Sequence, residues 1–238
     1  MVQKLLTRFA DNKYRITIFV LLGGATVFSL AILRLRVALT QDLDYYFLIG
    51  NLFLAWIPFI ISYFTYTLTI RRTWLYILIP LAAFLWLIFF PNAPYIMTDF
   101  QHLTRAGTVI PVWYDVMMLI WFAWTGLLLG VVSLFLMQEI IRREFGRWVG
   151  WGFVGLVAFL SAVGIYMGRF LRWNSWDILR NPLGIAQFTF ERAQNPSLQS
   201  VIFTGLFSAF FLFLYVTLYA FGHLLLERKR NEEEARET

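Results

Sequence analysis

The 238-residue chain is 60% hydrophobic, 19% aromatic and only 14% charged, with a formal net charge of +6 and no cysteine. Soluble domains carry about 25% charged residues and an apolar fraction near one half, so neither a soluble globule nor a disordered chain fits. The absence of cysteine removes disulfide scaffolds, thiolate metal centres and cysteine nucleophiles.

Six apolar runs are long enough to cross a hydrocarbon core about 30 Å thick. They are residues 16–33, 45–68, 74–90, 112–137, 148–167 and 201–226. Lipid offers no partner to backbone N–H and C=O groups, and the runs do not alternate as barrel strands would, so all six are predicted as helices. The fold class is therefore all-α, a polytopic membrane helix bundle forming one integral domain over residues 1–226. The first run follows Lys4, Arg8, Lys13 and Arg15, and its apolar stretch of 18 residues exceeds the roughly 7–15 of a signal-peptide core, so it reads as an uncleaved span. Between the first two runs Asp42 and Asp44 are placed to cap the next helix. Within that helix Asn51 is an interhelical hydrogen-bond candidate.

The third run ends in Phe90-Pro91-Asn92-Ala93-Pro94-Tyr95-Ile96-Met97-Thr98-Asp99. Two prolines stop a helix, and Thr98 or Asp99 is suited to cap a short new one. Asp99 and His102 are three apart and share a helical face. The fourth run carries Asp115, the one charge inside any span, about one turn from its start. A carboxylate at membrane depth is a functional hypothesis by default, against the plainer reading that it complements a helix N-terminus.

The fifth run has small residues four apart, Ala158 and Ala162 and then Gly164 and Gly168, which predicts close helix packing. It leaves the bilayer through Gly168-Arg169-Phe170-Leu171-Arg172-Trp173-Asn174-Ser175-Trp176-Asp177. Arg169 and Arg172, three apart, are placed either to hold a phosphate or carboxylate or to snorkel beside an aromatic belt. After Pro182, residues 183–192 form a short interfacial helix or a re-entrant segment. His223 stands alone near the end of the sixth run, and residues 227–238 form a charged tail.

Lysine and arginine set the orientation. Thirteen lie on the side that carries both termini and seven on the other, so the positive-inside rule places both termini in the cytoplasm. The basic balance is then a topology signal, and no nucleic-acid partner is indicated. The connections of the outer side are the long ones, residues 34–44, 91–111 and 168–200.

The Phe90–Asp99 element, with Asn51-Leu52-Phe53-Leu54-Ala55-Trp56-Ile57-Pro58 before it and Trp113-Tyr114-Asp115 after it, resembles an uncharacterised family of bacterial multi-pass membrane proteins, a domain of unknown function. The likeness runs from about Tyr45 to Asn181 and takes in the Arg169–Asp177 segment. It implies a bacterial cytoplasmic membrane and carries no activity with it.

The functional expectation is a polar pocket at the outer face that binds or processes an anionic lipid or polyprenyl-phosphate headgroup, with the bilayer itself as the other partner. Asp99, His102 and Asp115 are the candidate proton-transfer groups. Asn92, Tyr95, Arg169, Arg172, Asn174 and Asp177 are the candidate binding groups. They are read as such and not as metal ligands, and nothing in the residues specifies a cofactor. A non-catalytic scaffold and a small-solute transporter are the alternatives.

Overall fold

The computed structural model describes residues 2–69, 78–105, 109–173 and 175–237. Every regular element among the described residues is a helix. In chain order these are α1 (Val2–Thr40), α2 (Phe47–Thr69), α3 (Leu78–Phe89), α4 (Asn92–Tyr95), a 3₁₀ helix (Ile96–Arg105), α5 (Val112–Phe145), α6 (Arg147–Phe170), α7 (Ser175–Arg180), α8 (Pro182–Gln194) and α9 (Leu198–Glu237). Six stretches are long and apolar enough to cross a membrane: Arg15–Thr40, Phe47–Leu68, Ile79–Leu103, Val112–Phe145, Arg147–Phe170 and Leu198–Leu224. The protein is an all-α, multi-pass membrane protein. Residues 74–77 of the predicted third span lie outside the described residues.

The helices run past the apolar runs that predicted them, because local pairing carries helix through polar sequence. α1 continues beyond Arg34 and Arg36 to Thr40, whose hydroxyl donates to the Arg36 carbonyl. α5 continues through Gln138–Phe145, where Glu139 holds Arg142 at 2.8 Å and Arg143 at 2.9 Å, one turn away on the same face. The break before α6 is then the single residue Gly146, at φ 91, a conformation that glycine adopts without strain.

The Pro91–Asp99 element also folds differently from its first reading. Pro91 and Pro94 do not end in a turn followed by a capped helix. Pro91 is the N-cap of α4, and both prolines fall where an N–H would have no helical partner, so helix resumes at once. Asp99 therefore lies inside the following 3₁₀ helix and is not its cap.

Contacts divide the chain into two compact units, residues 1–137 and 138–238. The first has a core of buried apolar residues from α1, α2, α4, the 3₁₀ helix and α5, among them Leu33, Leu48, Phe59, Ile96 and Phe122. Polar ties cross it. The Trp86 indole donates to the Ser133 hydroxyl at 2.7 Å, and that hydroxyl donates to the Pro58 carbonyl at 3.0 Å, joining α3, α5 and α2. Such bonds between membrane helices contribute about 0.6 kcal/mol each, so close packing sets most of the stability. Gly126 of α5 shows how close that packing is: a Cβ built there would lie 2.6 Å from the Ala93 carbonyl oxygen of α4.

The second unit is built on α6 against α9. Val154, Ala158, Ser161, Ala162 and Ile165 bury one face of α6, as the Ala158–Ala162 spacing predicts, whereas Gly164 and Gly168 are only half-buried. On α9, Thr204, Phe211 and Tyr215 are buried at intervals near two turns or one. At one end Tyr166 and Phe170 of α6 pack against Phe203 of α9, the first tilted and the second edge-on. Tyr215 donates to the Gln138 side-chain oxygen, and its ring meets Trp151. The exposed His223 ring stacks on Tyr219. α8 opens with Asn181 as N-cap, accepting from the Gly184 N–H, and with Pro182 at the first helical position.

Candidate functional site

In residues 1–137 the polar groups gather around Asp115. Its carboxylate is fully buried and faces the guanidinium of Arg36, also buried: Nε donates to Oδ1 at 2.8 Å and Nη2 lies 3.5 Å from Oδ2. The remaining nitrogen, Nη1, is 3.5 Å from an Asp42 oxygen but makes no hydrogen bond. The guanidinium carbon stands 4.3 Å from the centre of the Tyr45 ring, a cation–π arrangement. Two helix ends thus meet through one arginine: the end of α1 and the first turn of α5.

Tyr45 extends the cluster to the 3₁₀ helix. Burial, and after it the Asp115 charge, hold the Tyr45 phenol above its ordinary range, with Arg36 opposing. The hydroxyl keeps its proton and donates to the His102 carbonyl at 3.0 Å. The His102 ring lies 4.7 Å from that of Phe47. One 3₁₀ turn earlier Asp99, fully buried, accepts from the Asn51 amide of α2 at 2.8 Å. Asn92 and Tyr95 sit on α4, where the Asn92 amide donates to the Phe89 carbonyl at 2.9 Å. Arg36 thus links Asp115 to Tyr45, and Tyr45 reaches the backbone of His102, while Asp99 pairs with Asn51.

Asn51→Leu is expected to leave the Asp99 carboxylate short of a donor. A lost hydrogen bond to a buried charge costs about 1.5–3 kcal/mol. The apparent unfolding temperature in detergent should fall, and should fall less in Asn51→Leu/Asp99→Asn, where no charge is left behind.

Within residues 138–238, polar groups gather past the end of α6. α6 ends at Phe170, and Arg172 takes φ 60, which returns the Trp173 N–H to the Met167 carbonyl at 3.3 Å. Arg169 stays in the last turn of α6, so the predicted shared helical face of Arg169 and Arg172 is lost where the helix stops. A cavity of about 320 Å³ forms past that end, lined by Leu171, Arg172, Trp173, Asp177, Arg180 and Asn181. Among the described residues neither Arg172 nor Arg180 has an ion-pair or hydrogen-bond partner for its guanidinium. Asn174 lies outside the described residues.

Leu171 also lines a second, half-open cavity of about 420 Å³, walled mainly by apolar side chains such as Phe159, Val163, Met167 and Val201, with Thr189 of α8 and Thr204 of α9 among the rest. A pocket lined by two arginines thus borders a mainly apolar one.

A family model described as "Protein of unknown function (DUF1361)" matches residues 51–216. The chain belongs to that family. No curated protein and no solved structure matches it. The DUF1361 match takes in Asn51, Asp99, Asp115 and both cavities of the second unit, while Arg36 and Tyr45 lie ahead of it. As the Phe90–Asp99 element implied, the DUF1361 description names no activity.

Three site residues escaped the sequence reading. Arg36 and Arg180 entered it only as charges in the topology tally, and Tyr45 only as the first residue of a span. Arg36 had a signal, since a cation one turn inside a helix end needs an anion at the same depth. Arg180 had one too: it ends a short segment that Asn181-Pro182 separates from the next helix.

Proposed function

We propose that the protein binds a phosphate-bearing amphiphile at the pocket formed by Arg172 and Arg180, in the outer leaflet of a bacterial cytoplasmic membrane with both termini inside. The observation that carries this reading is the pair of guanidiniums without carboxylate partners on one cavity wall. Arginine offers a fixed fork of donors matched to phosphate oxygens. The lysine and arginine asymmetry of the connections supports the outer placement.

The backbone of Arg172 adds a second support. A left-handed conformation at a helix end is ordinarily met by glycine, and an L-residue there costs about 1–2 kcal/mol. An arginine at that position is understandable if its side chain does something that glycine cannot. Asp115 is not read as a proton-transfer group, since its charge is already met by Arg36. The reading is one of binding, and no reaction step is assigned to Asp99 or His102.

The test compares lipids that co-purify with wild type, Arg172→Ala and Arg172→Gly, identified by mass spectrometry. Both variants should lose anionic phospholipid, by about tenfold. Arg172→Gly should unfold at the same or a higher temperature than wild type, because it relieves the backbone by about 1 kcal/mol. A lipid profile unchanged in both variants would end the proposal.

A further inference from the structure

We infer that the ligand's hydrocarbon chain lies in the apolar cavity between α6, α8 and α9, so that the site takes a whole lipid and not a free anion. This rests on the headgroup reading above and adds the second half of the molecule. Leu171 is common to the walls of both cavities, so a headgroup phosphate at Arg172 and Arg180 sets its own chain at the mouth of the apolar cavity. The chemistry changes along that line as it does along an amphiphile. Guanidiniums and the Asp177 carboxylate surround one end, and Phe159, Val163, Met167 and Val201 surround the other.

The size fits one chain. An apolar cavity of about 150 Å³ accepts a benzene. The 420 Å³ here holds about three times as many carbons, a single chain of roughly 16–18. A phosphate lipid with one long chain fills it, and a second chain of the same ligand stays in the bilayer.

Gly205 gives a clean way to close the cavity. It lines the wall, and a Cβ built on it meets nothing within 4 Å, so a leucine side chain enters open space. Gly152 is equally free of neighbours and lies away from the cavity, which makes Gly152→Leu the matched control.

The experiment uses the full chain in detergent micelles and native mass spectrometry with three probes: lysophosphatidic acid with an 18-carbon chain, its six-carbon analogue, and monoolein, which lacks phosphate. Wild type should bind the 18-carbon phosphate lipid more tightly than either of the others. Gly205→Leu should weaken that probe by about tenfold or more, since several methylenes lose their burial, and leave the six-carbon analogue unchanged. Arg172→Ala should weaken both phosphate probes and leave monoolein unchanged. Val201→Phe narrows the same cavity from one helical turn earlier on α9 and repeats the test should Gly205→Leu not fold. Undiminished binding of the 18-carbon probe in folded Gly205→Leu or Val201→Phe overturns the chain assignment and leaves the headgroup reading intact. Equal affinity of the two phosphate probes in wild type overturns it as well. Failure of Arg172→Ala to weaken either phosphate probe overturns the headgroup reading itself.

Discussion

Asp115→Leu is expected to destabilise the protein by about 3–5 kcal/mol, more than any other single truncation in residues 1–137, because it strands a buried guanidinium. Arg36 is 1% exposed and Asp115 0%. Removing either partner leaves the other charge in a site with almost no water. The two losses are not equivalent. An uncompensated carboxylate can take up a proton, and Asp115 sits in the first turn of α5, where the helix dipole favours its charge by about 0.3–1 kcal/mol. A guanidinium cannot be neutralised in this way. Arg36 keeps only Asp42 at 3.5 Å, itself about one third exposed, and the Tyr45 ring face. Asp115→Leu is therefore the worse variant and Arg36→Met the milder.

The double variant Arg36→Met/Asp115→Leu decides what the pair is for. Well-packed apolar replacements of a buried ion pair are often neutral or stabilising, so the double change should recover most of the loss, with a coupling of about 2–3 kcal/mol in the cycle. Unfolding temperatures in detergent give the stabilities, and bound-lipid mass spectrometry gives the function. A folded double variant with its lipids retained marks the pair as a clasp between α1 and α5. A folded double variant stripped of lipid gives Asp115 a part in binding.

The sequence displays the spans because each is a long run whose apolar content needs no partner to be read. It displays Asp115 for the same reason, as a charge in a place where charge is costly. It hides the partner, because Arg36 and Asp115 are 79 residues apart, with α2, α3, α4 and the 3₁₀ helix between them, and only the packing of α1 against α5 brings them together. Asn51 and Asp99 are half-visible: each stands out as polar in apolar surroundings, but their 2.8 Å bond depends on how the 3₁₀ helix lies on α2. The 3₁₀ helix was itself misread, since prolines read as stops until their position in the first turn is known. Arg172 was legible by type and misplaced by geometry. Helical spacing puts it on a face with Arg169, and the end of α6 at Phe170 puts it in another pocket with Arg180.

Gly126→Leu should prevent folding, and Gly126→Ala should destabilise by more than the modest effect expected where a glycine in a helix is replaced. Alanine normally stabilises a helix relative to glycine by about 1 kcal/mol. At Gly126 the sign reverses. The added Cβ would lie 2.6 Å from the Ala93 backbone oxygen and 2.9 Å from the Ile96 side chain. Ile96 can change rotamer. The Ala93 carbonyl cannot, because α4 is a single turn capped by Pro91 and containing Pro94, with Ala93 and Pro94 both buried. Relief then requires α5 and α4 to separate, opening the layer that holds Phe122, Ile96 and Leu52. Overpacking of this kind costs about 1–3 kcal/mol for one methyl group, and more for a leucine. Gly50 supplies the internal standard: it is on α2 with nothing within 4 Å of a Cβ, so Gly50→Ala should raise the unfolding temperature by the helix-propensity gain. Because the close approach of α5 also sets where α4 and the 3₁₀ helix lie on α2, Gly126→Ala should loosen the Asn51–Asp99 bond. Hydrogen exchange measured by mass spectrometry should then rise across residues 92–105 in Gly126→Ala and stay at the wild-type level in Gly50→Ala. Equal exchange in the two variants would mean that α4 yields without strain and that the contact with Gly126 does not hold the segment in place.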